Sequence, residues 1–147
     1  METEQIKEFF KNDRYAAFSG VELLEVAPGY AKAQMPVQAM HLNAGDMVQG
    51  GAIFTLADFA FAVAVNAYGN MAVSIETSIR YFKSVGSGTL FAEAKIVHLH
   101  KKLATFEVHV TNEEDELIAL FTATAFRKET LLCHCGLDPQ SHEKRDV

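Results

Sequence analysis

QGGAIFTLADFAFAVAVNAYG, residues 49–69, is the stretch that decides the fold. From Ala52 to Ala67 it contains neither Gly nor Pro and is rich in Ala, the strongest helix former. A helix over these 16 residues spans about 24 Å. Its residues are apolar on nearly every face, which predicts a helix covered from several sides rather than one lying on a surface. Gly69, just beyond the run, suits a helix C-cap.

Working outward, the residues on the C-terminal side change period from helical to alternating. Residues 72–82, 89–98, 103–111 and 117–126 read as four strands. The links between them are Gly86-Ser87-Gly88, His100-Lys101-Lys102 and an acidic turn over 112–116. Links this short make neighbouring strands antiparallel. On the N-terminal side, residues 21–35 read as a strand hairpin folded at Pro28-Gly29. A loop over 36–51 follows, with Asn43, Gly45, Asp46, Gly50 and Gly51 close together. Residues 2–13 predict a short helix with Ile6, Phe9 and Phe10 on one face, and Arg14 to Ser19 leads out of it. One long helix that must be covered, with strands on both sides of it in sequence, predicts an α+β fold. In it, a curved antiparallel sheet wraps a single central helix. From Glu129 onward no period continues, so the expected organisation is one domain over 1–128 and a disordered tail over 129–147.

Composition narrows the function. The 147 residues suit one domain, and 49% of them are hydrophobic, enough for a real core. Net charge is −6 and the basic residues form no long run, which argues against a nucleic-acid binder. A phosphorylated ligand stays compatible, because a few placed lysines suffice. No apolar stretch reaches the roughly 18 residues of a membrane span. The N-terminus METEQIKEFFKND lacks the apolar segment of a signal peptide. A cytoplasmic protein is expected. Cys133 and Cys135 sit together near the end of the chain and could not staple a fold, which fits a reducing compartment.

Two features of the quoted stretch can carry chemistry. Asp58 is the only acid in the helix and stands among Leu56, Ala57, Phe59, Ala60 and Phe61. A carboxylate in such company is costly unless it is paired or its pKa rises, and a raised pKa serves general acid/base or nucleophilic work. The plain alternative is a residue on the exposed edge of an amphipathic helix. Gly50 and Gly51 open the helix and leave N–H groups uncovered at its positive end. They could form an oxyanion hole, an anion site, or simply a tight turn. Gly50 and Asp58 are eight residues apart, about 12 Å along one helix. Both can act on one carbonyl only if they come from different subunits, so this chemistry requires a dimer.

The pattern from His41-Leu42-Asn43 through Gln49-Gly50-Gly51 to Leu56-Ala57-Asp58 resembles the signature of the hotdog-fold thioesterases of the PaaI-like group. The resemblance runs from about Val21 to Lys128 and includes Ser74 to Phe82, Gly88-Thr89-Leu90 and Leu117 to Arg127. It implies a hotdog fold, a homodimer or a dimer of dimers, and hydrolysis of acyl-CoA thioesters without a cofactor. Asp58 matches the general base or nucleophile, and Gly50 the glycine whose N–H polarises the thioester carbonyl. Asn43 matches an asparagine near the reacting group. Gln49 and Gly51 flank Gly50 in the substrate site. Ser74 and Ser78 occupy the strand where the family places a polar residue near water. Gln49 departs from the pattern: the family has His there, and Gln can hydrogen-bond but not titrate.

Other signals weigh less. Arg80, Lys83, Lys101 and Lys102 stand where the resemblance implies contacts with CoA phosphates, although ordinary surface charge reads the same. His98, His100 and His109 have no acid or Cys to complete a metal set, and Cys133-His134-Cys135 with His142 matches no common zinc spacing. No metal is expected. Asp46 reads as a turn former. Phe54, Phe59, Phe61, Phe82 and Phe91 read as core, or in part as the wall of an acyl pocket. Two other functions fit the same fold: a module that binds acyl-CoA without cleaving it, and an acyl-thioester hydratase or dehydratase. The second needs a catalytic His paired with an acid, and only His41 lies near the helix. The acyl group itself is not legible.

Overall fold

Alternation along the strands sorts side chains to two faces, and one face is built to receive a helix. The computed structural model describes residues 2–132. Its elements are α1 (Thr3–Phe10), α2 (Arg14–Phe18), β1 (Glu22–Ala27), β2 (Tyr30–Pro36), a 3-10 turn (Ala39–His41), α3 (Gly50–Asn66), β3 (Asn70–Tyr81), β4 (Thr89–Leu99), β5 (Leu103–Thr111) and β6 (Leu117–Leu131). The strands form one sheet in the order β1-β2-β4-β5-β6-β3, with every neighbouring pair antiparallel. The sheet curves around α3 in the hotdog arrangement.

The inner face alternates small and large residues. Ala31, Ala33 and Met35 of β2, Leu90, Ala92 and Ala94 of β4, and Ala104, Phe106 and Val108 of β5 are fully buried. The alanines let α3 come close, and the larger side chains fill what remains. Phe61 of α3 meets Phe106 edge-on at 5.4 Å between ring centres and Phe121 of β6 at 6.1 Å. Burying one such ring contributes about 2–3 kcal/mol. The β1–β2 hairpin turns at Gly29, which has φ +78°. A Cβ there would lie 2.4 Å from the Tyr68 hydroxyl, so both the conformation and the space demand glycine. The Gly29 N–H donates to the Ala64 carbonyl at 3.1 Å and ties the hairpin to α3.

Four expectations need correction. The N-terminal helix ends at Phe10, and the lead-out is itself a helix, α2. Asp13 starts it by accepting a hydrogen bond from Ala16 N at 3.0 Å, an N-cap that stops one helix and begins the next. Helix α3 starts at Gly50 rather than Ala52. It is not covered all round: Gly51, Thr55, Asp58 and Ala62 escape full burial. Their spacing of four, three and four draws one stripe along the side that the curved sheet leaves open. Finally, the domain boundary at 128 is too early. β6 pairs with β3 as far as Asn70 opposite Leu131, and Leu132 is buried. The Leu132 N–H donates to Gly69 O at 2.9 Å. Cys133, Cys135, His142 and the rest of 133–147 lie outside the described residues, and with them the expectation of a disordered tail.

The C-terminal end of α3 is closed by backbone N–H groups and by one buried side chain. Asn66 is buried, donates from Nδ2 to Ala62 O at 2.8 Å, and accepts at Oδ1 from Ala72 N at 2.9 Å. It joins the last helical turn to the start of β3.

Candidate active site

The site is built from the open side of α3 outward. Asp58 belongs to the exposed stripe but is itself half-buried. With Phe54, Thr55, Phe59 and Ala62 of its own helix and Asp13, Tyr15 and Ala16 of the N-terminal segment, it lines a groove of about 330 Å³. Among the described residues no side chain or N–H is hydrogen-bonded to its carboxylate. Burial, and secondarily the negative charge of Asp13, push the Asp58 carboxyl above the usual carboxylate range. An unpaired, partly desolvated acid of this kind is suited to take up a proton.

The start of α3 offers the opposite polarity. The Gln49 carbonyl accepts from Ala52 N at 2.9 Å and from Ile53 N at 3.3 Å. Among the described residues, the N–H groups of Gly50 and Gly51 find no acceptor, and the Gln49 side chain does not cap them. Two open donors at the positive end of a 17-residue helix make an electrostatic site for an oxygen that gains charge. The Gly50 carbonyl on the same turn accepts from the Tyr81 hydroxyl at 2.8 Å.

The loop before α3 is held by two residues. Asn43 Oδ1 accepts from Gly45 N at 2.9 Å and from Met47 N at 3.2 Å, and the Asn43 N–H donates to Met47 O at 2.7 Å. The Asn43 oxygen is therefore engaged by its own loop, and only its amide nitrogen is left to meet another molecule. His41 is 4% exposed. Its Nδ1 accepts from Gln38 N at 2.9 Å, so the ring proton sits on Nε2, 2.6 Å from the Ser19 carbonyl. The His41 carbonyl in turn accepts from Gln49 N at 2.8 Å.

The remaining expected residues scatter. Ser74 pairs with Ala125 and shares the helix-facing side of the sheet. Ser78 and Arg80 pair with Thr122 and Leu120 on the opposite side, and Ser78 hydrogen-bonds Thr122 at 2.9 Å. A β-bulge between Ser74 and Glu76 reverses the alternation, which is why Ser74 and Ser78 part company. Lys83 forms an ion pair with Glu116. Lys101 and Lys102 line a cavity of about 470 Å³ with Asn70 and Arg127, at the end of the sheet away from Tyr81. A single chain thus gathers neither Ser78, Arg80 nor Lys83 around Asp58. The His98 and His100 rings stack at 6.4 Å, and His109 contacts Glu107 at 2.6 Å. Among the described residues no His, Cys, Asp and Glu cluster is placed to hold a metal ion.

Sequence inspection missed Asp13 and Tyr81. Asp13 carries a legible signal, an N-cap acid before Arg-Tyr-Ala-Ala-Phe. Tyr81 carries only its parity on β3 with Thr77 and Ile79, which becomes meaningful once the bulge is known.

Comparison with known proteins gives concordant matches. Residues 45–119 match the family described as Thioesterase superfamily. The chain is 44% identical over 126 residues to an esterase candidate of Archaeoglobus fulgidus, covering 84% of this chain and 82% of that protein. It is 32% identical over 119 residues to the acyl-coenzyme A thioesterase PaaI of Escherichia coli, covering 80% and 85%. The solved structure of E. coli PaaI, from the phenylacetic acid degradation operon, superposes with a TM-score of 0.81 at 30% identity over 84% of this chain and 91% of that one. A hypothetical thioesterase of Streptococcus pneumoniae, solved with coenzyme A, gives a TM-score of 0.78 at 26% identity over 86% and 98%.

Proposed function

Because the chain belongs to the thioesterase superfamily, we propose that it hydrolyses acyl-CoA thioesters to the free acid and CoA, at sites shared between two subunits. The observation that carries this is the pairing of complementary halves on α3. The open N–H donors of Gly50 and Gly51 stand at one end, and the unpartnered Asp58 carboxylate stands about two turns away. A second α3 lying antiparallel against the first brings each Gly50 to the partner's Asp58.

Two features favour such a homodimer. The open stripe of α3 carries the small residues Gly51, Thr55 and Ala62, which allow close helix approach. Strand β3 is an edge of the sheet and exposes Val73, Ile75 and Phe82 at or just beyond it, with Ile75 at 59%. A long apolar edge strand invites pairing with another copy.

In the reaction, the glycine N–H groups hold the thioester oxygen as it gains negative charge. Asp58 takes a proton from water as the water oxygen bonds to the carbonyl carbon. The C–S bond then breaks and the CoA thiolate leaves. In the alternative course the Asp58 carboxylate attacks directly, and water cleaves the resulting anhydride. Gln49 and Gly51 border the carbonyl, the Asn43 amide nitrogen is the donor its side chain has left, and Ser74 is the serine on the helix side. Tyr15, Phe54 and Phe59 give the groove beside Asp58 an aromatic wall suited to aryl-acetyl or short and medium acyl chains. No helix among the described residues is long and apolar enough to cross a membrane, and a cytoplasmic reaction is part of the proposal, resting on the acyl-CoA substrate it names.

The test is thiol release from aromatic and aliphatic acyl-CoAs by wild type and by Asp58→Ala. Expected is turnover by wild type and a loss of about 10²–10⁴-fold in kcat in a variant that keeps its oligomeric state. Binding of acyl-CoA with no release from any substrate would overturn hydrolysis in favour of a binding module, which the titration-silent Gln49 makes the natural rival.

A further inference from the structure

From the contact between β3 and the first turn of α3, we infer that Tyr81 is a positioning residue for the carbonyl-polarising N–H groups at the start of α3, holding Gly51 N–H through the Gly50–Gly51 peptide and Gly50 through the packing of its ring. The inference rests on the hydrolase proposed above. Two successive glycines at a helix start have the widest conformational freedom of any residues. The usual restraint, a capping side chain on the preceding residue, is absent at Gln49. What takes its place is the Tyr81 hydroxyl, which donates to the Gly50 carbonyl at 2.8 Å.

The packing is as specific as the hydrogen bond. A Cβ on Gly50 would lie 3.0 Å from the Tyr81 oxygen and 3.1 Å from the ring carbon that bears it. Residue 50 is thus a glycine that admits the ring as well as one that exposes its N–H. Tyr81 is itself fixed: it pairs with Ala119 on β6, and the next residue, Phe82, donates its N–H to Ile118 O at 2.8 Å. The Gly50 carbonyl and the Gly51 N–H belong to one peptide plane. A hydroxyl donating to that carbonyl orients the plane and polarises its N–H. Partial burial raises the phenol pKa, so it stays a donor at any working pH.

Tyr81 touches neither water nor thioester in this role, so its removal affects the turnover step and not ground-state affinity. Tyr81→Phe keeps the ring and deletes the donor. Expected is a fall of about tenfold in kcat, less than the loss for a direct oxyanion donor, with KM within about twofold of wild type. Thermal midpoint and oligomeric state are expected to stay as in wild type. In ¹⁵N NMR of the same variant, the Gly50 and Gly51 amides shift and gain fast mobility while the rest of α3 does not. An unchanged kcat in an active wild-type background, or unchanged glycine amides, overturns the inference. So does a Tyr81→Phe protein that loses its thermal midpoint or its oligomer, since that marks a structural tyrosine. If wild type cleaves no acyl-CoA, the hydrolase proposal fails separately, and the glycine amides still decide whether Tyr81 holds them.

Discussion

The two ends of α3 are treated in opposite ways. At the C-terminal end partners are supplied: Asn66 takes a carbonyl of its own helix and an N–H of the next strand, and the N–H groups of Gly29, Ala67 and Gly69 take three more carbonyls. At the N-terminal end two glycines leave their N–H groups without an acceptor among the described residues, and the nearest side chain declines to cap them. A helix end with open polar groups costs stability, and a cap is the common remedy. The difference teaches where this fold keeps its strength and where it keeps its chemistry. Substitutions at the open end should cost rate with little loss of stability, and those at the closed end the reverse.

Of substitutions at the two ends, Gly50→Ala should have the largest effect. Its Cβ meets the Tyr81 hydroxyl and disturbs the donors of the first turn. Steady-state kinetics should show kcat down by about 10²–10³-fold, while the melting point moves little. A large fall in melting point with kcat intact would break the comparison. Next in size is Asn66→Ala, which strands the buried Ala72 N–H. Chemical denaturation should show a loss of about 1–3 kcal/mol, with kcat per folded molecule close to wild type.

The smallest effect sharpens the picture between the two ends. Asp13 holds part of the upward push on Asp58, behind burial itself. Asp13→Asn keeps an N-cap of equal quality for α2 and removes the charge. If ionised Asp58 is the working form, its raised pKa sets the acidic limb of the pH–rate profile above the usual carboxylate range. Removing Asp13 should then move that limb to lower pH. The sign for stability agrees. A carboxyl whose folded pKa is raised weakens the fold as pH climbs through the interval up to that pKa, and the penalty persists above it. The variant should therefore be no less stable than wild type at neutral pH. A limb that stays in place would assign the shift to burial alone.

The sequence made the frame legible because its periods are clean. The Gly-free alanine run marks α3, and the alternation of 89–98 and 103–111 marks β4 and β5. Asp58 and Gly50 could be singled out because an acid in an apolar helix and a glycine pair at its start each break a local rule. What escaped was whatever depends on long-range register. The bulge between Ser74 and Glu76 sends Ser78 and Arg80 to the face away from α3, and nothing in a period of two announces a bulge. The end of β6 escaped because Lys128-Glu129-Thr130-Leu131 has no apolar alternation; its partner strand, not its composition, extends it. Asn43 was marked by resemblance, yet its oxygen serves the loop.

His41 joins pieces of chain that are far apart in sequence. One imidazole links the end of α2 to the turn at Gln38, and the carbonyl of the same residue receives Gln49 N–H at the threshold of α3. Asp13, Asn43 and Gly50 each lie within six residues of one of these three ties. Mechanically, the surroundings of the site form a single clamped body rather than three independent loops. Such a body does not fray from one corner. Local opening that releases the imidazole frees the end of α2 and the Gln38 turn together, while the backbone tie from Gln49 to His41 persists, so two of the three segments open as one unit.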